Sequence, residues 1–116
     1  MLQTKLKHLE AEEEVRGALA KNENVVICCG RMGAMCVPVY AILSQLEARY
    51  PHVDFYDQEF DIPAAGFIKR LPECASFRGL PFTVYFKNSL VVAATTSIQT
   101  EDQICEILDR QFGQHP

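Results

Sequence analysis

The 116-residue sequence predicts a three-layer α/β/α sandwich with a mixed central sheet, folded as a single domain over residues 1–116. Three observations lead there. Strand-like and helix-like periodicities alternate along the chain without a linker. The run VVICC at residues 25–29 is apolar without a break, as in a strand covered on both faces. After Pro72 the period becomes that of an antiparallel hairpin followed by one last helix.

Taken in order, KLKHL at residues 5–9 forms a short strand, and residues 10–24 a helix with acidic residues in its first turn, where they suit the helix dipole, and residues 22–24 as its exit. Residues 25–29 are the buried strand. In the helix that follows, Val39, Ile42, Leu43, Leu46 and Tyr50 recur at three- and four-residue steps and Pro51 ends the pattern. HVDFYDQEF supplies the third strand. Asp61 and Pro63 open another helix that runs to about Leu71 and stops at Pro72. FTVYFKNSLVVAATT holds two strands around the turn Lys87-Asn88-Ser89, and Thr100 caps a helix whose Ile104, Ile107, Leu108 and Phe112 form one apolar stripe. The order is β-α-β-α-β-α-β-β-α.

Composition narrows the function. A net charge of −4 with 22% charged residues leaves no basic stripe for nucleic acid or an anionic membrane. No apolar run approaches the roughly 20 residues that span a bilayer, and the N-terminus does not read as a signal peptide. Five cysteines without a regular framework point to free thiols in a reducing compartment, so a cytoplasmic location is expected. His8, His52 and His115 are scattered and the cysteines lack zinc spacing, and neither Gly30 nor Gly33 belongs to a G-x-G-x-x-G run; no metal or nucleotide cofactor is expected.

The segments FRGLPFTVYFKNS and AILSQLEARYPHVDF, with this element order, resemble the thioredoxin family over nearly the whole chain, from about Lys5 to Phe112. The resemblance implies the thioredoxin fold, with Pro81 as a cis-proline facing the redox site and Leu80 as the residue whose backbone receives a substrate chain. It also exposes departures. Where the family carries Trp-Cys-x-x-Cys, this sequence reads Met32-Gly33-Ala34-Met35-Cys36, so only the second cysteine is present. Cys29 stands where the family has a packing tryptophan, Ile27 where it has a buried acid, and Ser97 where it has a glycine.

CCGRMGAMC, residues 28–36, concentrates three thiols, and thiol exchange requires a reachable thiolate and, for turnover, a second thiol. Pro38 is tolerated only in a first turn, so the helix should start one to three residues later than a cap at Gly33 would place it, bringing Cys36 toward unpaired N–H groups that stabilise an anion, with Arg31 adding in the same direction. Cys36 is therefore a candidate nucleophile; the alternative is that it keeps the family's inner, partly buried position. Cys29 is the candidate second thiol, Cys28 points to the other face of its strand, and Cys74 and Cys105 read as packing residues. By the family register, Met32, Gly33, Ala34 and Met35 join Leu80, Pro81 and Ile98 in one uncharged patch suited to an extended peptide. Two classes follow: an atypical thiol-disulfide oxidoreductase acting through Cys36, with a protein or peptide thiol/disulfide substrate and a reductase as donor, or a redox-inactive peptide-binding module using the same groove.

Overall fold

A strand with no polar residue needs cover on both faces, and the chain supplies it from helices on either side. The computed structural model describes residues 2–113, so His115 lies outside the described residues. Among these, β1 (Lys7–His8), β2 (Asn24–Gly30), β3 (Asp54–Glu59), β4 (Phe82–Lys87) and β5 (Leu90–Thr96) form one sheet in the order β1-β3-β2-β4-β5. The pairs β1–β3 and β3–β2 are parallel, β2–β4 and β4–β5 antiparallel. The sheet is thus mixed and the class α/β.

The two-residue period of β2 divides the core. Val26 and Cys28 face α2 (Val37–Leu46) and α4 (Glu101–Phe112), packing with Val39, Leu43, Ile104 and Leu108. Val25, Ile27 and Cys29 face α1 (Glu12–Lys21) and α3 (Gly66–Lys69), packing with Val15, Leu19 and Ile68. These β2 side chains are fully enclosed, and burying an aliphatic one completely is worth about 1.5–3 kcal/mol.

Local chemistry explains the ends. α1 has no side-chain acceptor at Ala11; the Glu14 carboxylate instead accepts from the backbone N–H groups of Glu10 and Ala11, both at 2.9 Å. α2 begins at Val37 with Pro38 inside its first turn, where the missing N–H is no loss. Asn88 and Ser89 have φ of 51° and 70°, as a two-residue hairpin turn requires. The helix expected from Pro63 to Leu71 is instead a 3₁₀ turn at Pro63–Ala65 followed by the short α3. Its expected opener, Asp61, is committed to Arg31 at 2.8 Å and so does not cap the segment, and Gly66 weakens helix propagation at the junction. Between β1 and β3 the N-terminal segment is pinned by a buried carboxylate: Asp57 accepts from the Thr4 hydroxyl and lies 2.6 Å from His8 Nδ1.

At the last helix Thr100 accepts from Gln103 N–H at 3.1 Å while Gln103 accepts from Thr100 N–H at 2.8 Å. Thr100→Ala is expected to lower stability by about 1 kcal/mol, read as a shifted denaturant midpoint at unchanged m-value.

Candidate functional site

The site lies where the end of β2, the start of α2 and the turn before β4 meet. The Leu80–Pro81 peptide bond is cis. Residues 79–81 are tied to the end of β5, since the Thr96 hydroxyl donates to Gly79 O and Ser97 N–H donates to Pro81 O at 3.1 Å. Ser97 holds a φ of 67°, a region that suits glycine better than serine, and it turns the chain so that Ile98 follows beside Pro81.

Gly30 is the hinge of the arrangement. A Cβ there would lie 2.8 Å from Cys36 Sγ, 2.8 Å from the Tyr40 hydroxyl and 3.0 Å from Pro81 Cβ. Those three groups converge only because that atom is missing. Tyr40 closes the back by donating to Arg31 O at 3.1 Å, and the backbone N–H of Arg31 points at Cys36 Sγ, 3.4 Å away.

Cys36 is the residue just before α2, as the placement of Pro38 suggested, but only 3% of it is exposed. Of the two readings the sequence left open, the geometry is that of the inner, enclosed thiol. Arg31 reaches this sulfur through its main chain; its guanidinium makes a two-pronged ion pair with Asp61 and lies 5.3 Å from the centre of the Phe60 ring.

The expected second thiol, Cys29, sits in a different core cluster from Cys36. Cys29 packs in the α1-side cluster with Phe82 and Cys74, whereas Cys36 packs in the α2-side cluster with Cys28. The strand parity that separates the vicinal thiols therefore gives Cys36 the neighbour Cys28, and all five cysteines are free. Burial pushes the Cys29 thiol up to about 12 and, helped by Glu73, the Cys74 thiol up to about 11. Cys28 is raised further by burial, against which the Thr83 hydroxyl donating to its sulfur at 3.7 Å acts only weakly. At neutral pH these three are protonated. Asp57 is also buried on the Cys28 side, and its raised carboxyl, lifted by desolvation against the pull of Thr4 and His8, is committed to the sheet edge. Ile27, where the resemblance implied a buried acid, is fully enclosed. Among the described residues no three His, Cys, Asp or Glu side chains gather as a metal site.

What the site exposes is apolar. Met32 is 47%, Met35 46%, Val37 41% and Ile98 46% exposed, while Leu80 is half-buried and leans on both core clusters. Gly33 leaves open space where a side chain would stand. The importance of Gly30, Tyr40 and Asp57 was not readable beforehand. Gly30 carries no signal beyond its place at a strand end, and Asp57 only the oddity of an acid within a strand.

No protein-family model matches the sequence, and no curated protein matches it. Solved structures match well in shape. Thioredoxin O2 of Arabidopsis thaliana, in its oxidised state, superposes with a TM-score of 0.76 at 17% identity over 96% of this chain and 97% of its own. A mutant thioredoxin of Halobacterium salinarum gives 0.79 at 14% identity over the whole of both chains. Mitochondrial thioredoxin 3 of Saccharomyces cerevisiae gives 0.75 at 19% identity over 90% and 94%. The chain therefore has the thioredoxin fold. Beside the cis-proline it carries the enclosed thiol of Cys36, with Gly33 three residues before it.

Two outcomes follow. Gly30→Ala should cost about 1–3 kcal/mol, because the added methyl group meets a sulfur, a hydroxyl and a ring at once; thermal or denaturant unfolding measures it. The folded state keeps Cys29 and Cys74 protonated well above the ordinary thiol value of 9.0, so the unfolded chain gives up these protons first. Stability is then unaffected by these groups below about pH 9 and falls as pH rises toward 11–12. Denaturant titrations across that range should show the fall, and Cys29→Ala should flatten it.

Proposed function

We propose that the chain is a thioredoxin-fold binding module that receives an extended peptide or protein segment across cis-Pro81 and does not turn over disulfides. One contrast carries this reading. The thiol nearest the proline is 3% exposed, whereas the apolar side chains around it are nearly half exposed. Methionine side chains adapt to varied partners, and the open backbone at Gly33 allows close approach of a bound strand. Leu80 is half-buried at the centre of the patch, next to the backbone that would pair with the bound chain. Cys28, the thiol enclosed in the same cluster as Cys36, is protonated and so not poised to release a mixed disulfide.

A second reading keeps Cys36 as an attacking thiol. The Arg31 N–H aimed at its sulfur favours it, since that donor would stabilise a thiolate. Cys29 packs in the other core cluster, so an outside thiol, from a substrate or a reductase, would have to resolve the intermediate.

Selection of extended peptides on the immobilised chain, followed by solution affinities, separates the two. Binding should be unchanged in Cys36→Ala and at least about 10-fold weaker, or about 1.4 kcal/mol, in Met35→Asp. Dithiol-driven reduction of a protein disulfide that disappears in Cys36→Ser would overturn the binding-module reading.

A further inference from the structure

Met32 is exposed two residues after Gly30, the glycine against which Pro81 closes. It also lines a cleft of about 330 Å³ between residues 3–5 and α2. That is the low end of the roughly 300–1,000 Å³ typical of ligand pockets, room for a side chain or two rather than a large cofactor.

The cleft is built into the fold rather than left by a loose terminus. Leu2 and Leu6 are both buried in the α2-side core, and between them Thr4 takes Leu6 N–H on its hydroxyl oxygen at 3.1 Å while donating to the enclosed carboxylate of Asp57. Residues 3–5 are thereby held as a wall facing α2. The opposite wall is apolar, made by Val37, the Tyr40 ring and Ala41, with Met32 at the mouth.

Of the polar groups inside, those of Tyr40, Ser44 and Thr4 are spent, while the side-chain amides of Gln3 and Gln45 also line the space. Tyr40 donates its hydroxyl to Arg31 O, Ser44 donates to Tyr40 O at 2.9 Å, and the Thr4 hydroxyl is used by Asp57. The one charged lining residue is Lys5, which is exposed and makes no ion pair with a described residue. On a chain of net charge −4, this cleft presents an apolar wall, a single cation and two side-chain amides.

We propose that the cleft is a specificity subsite for the bound peptide, taking one bulky apolar side chain followed directly by an acidic residue that meets Lys5. The proposal rests on the peptide-binding reading above and adds to it which sequence is preferred. Met32 provides the continuity, because it lines the cleft and stands two residues from Gly30, over which Pro81 closes. A chain crossing the proline can therefore turn a side chain past Met32 into the space beside Ala41.

The probe is a set of fluorescein-labelled Gly/Ser-rich peptides of ten residues with two adjacent variable positions, titrated by anisotropy against the full chain. Leu, Met or Phe followed by Asp or Glu should bind at least fivefold tighter than the same residue followed by Lys, or than Ala followed by Glu. Lys5→Glu should reverse the charge preference, and Ala41→Trp, filling the cleft from an exposed position, should erase the preference for a large apolar residue. Circular dichroism establishes that both variants are folded. If both keep the wild-type ranking while Met35→Asp still weakens every peptide, the subsite is wrong and the binding module stands. If no peptide binds the wild type, both fall. Occupation of the cleft by octanoate without any peptide preference, or a concentration-dependent dimer abolished by Ala41→Trp, would also overturn the subsite.

Discussion

Everything at the candidate site depends on one missing atom. Because Gly30 has no Cβ, the sulfur of Cys36, the hydroxyl of Tyr40 and the ring of Pro81 can close over the end of β2. The convergence seals the thiol, fixes the first turn of α2 and carries the methionines of residues 32–35 to the outside. Sulfur and apolar side chains are inverted here, with the sulfur in the core and the apolar side chains on the surface. The chemistry follows from that inversion. Thiol exchange depends on ionisation and access, and the thiols around β2 are enclosed, with Cys28, Cys29 and Cys74 pushed up by desolvation.

How much of this could be read beforehand varied with how local the cause was. The unbroken run at residues 25–29 demanded cover on both faces and found it. Pro38 forced a late start for α2, and helix begins one residue before it. Thr100 with Gln103 and the Asn88-Ser89 turn carry their own local chemistry and gave the boundaries they predicted. The segment after Asp61 was misread because a helix-opening acid can be taken by a distant partner, here Arg31, and sequence spacing does not reveal such a partner.

Which side chains meet at the site was harder to read from the sequence, for a related reason. Strand parity says that Cys28 and Cys29 face opposite ways, but which face meets α2 depends on how the chain crosses back over the sheet. The burial of Cys36 depends on the rotation of α2, fixed by contacts with Gly30 and Pro81 that lie six residues before and forty-five after it in sequence. The N-terminal wall escaped notice altogether, since Leu2 and Leu6 look like any short amphipathic stretch until Asp57 is found beneath Thr4. Residues that act through tertiary contact leave the weakest signal in the chain.

Iodoacetamide alkylation of the native chain at neutral pH, followed cysteine by cysteine by mass spectrometry, tests the central claim most directly. The account predicts that Cys105, the only partly exposed thiol among the five, reacts first. Cys28, Cys29 and Cys36 should be modified only as fast as the whole domain unfolds. Modification of Cys36 in the folded protein at the rate of a free thiol would contradict the enclosed site and return the sulfur to the surface.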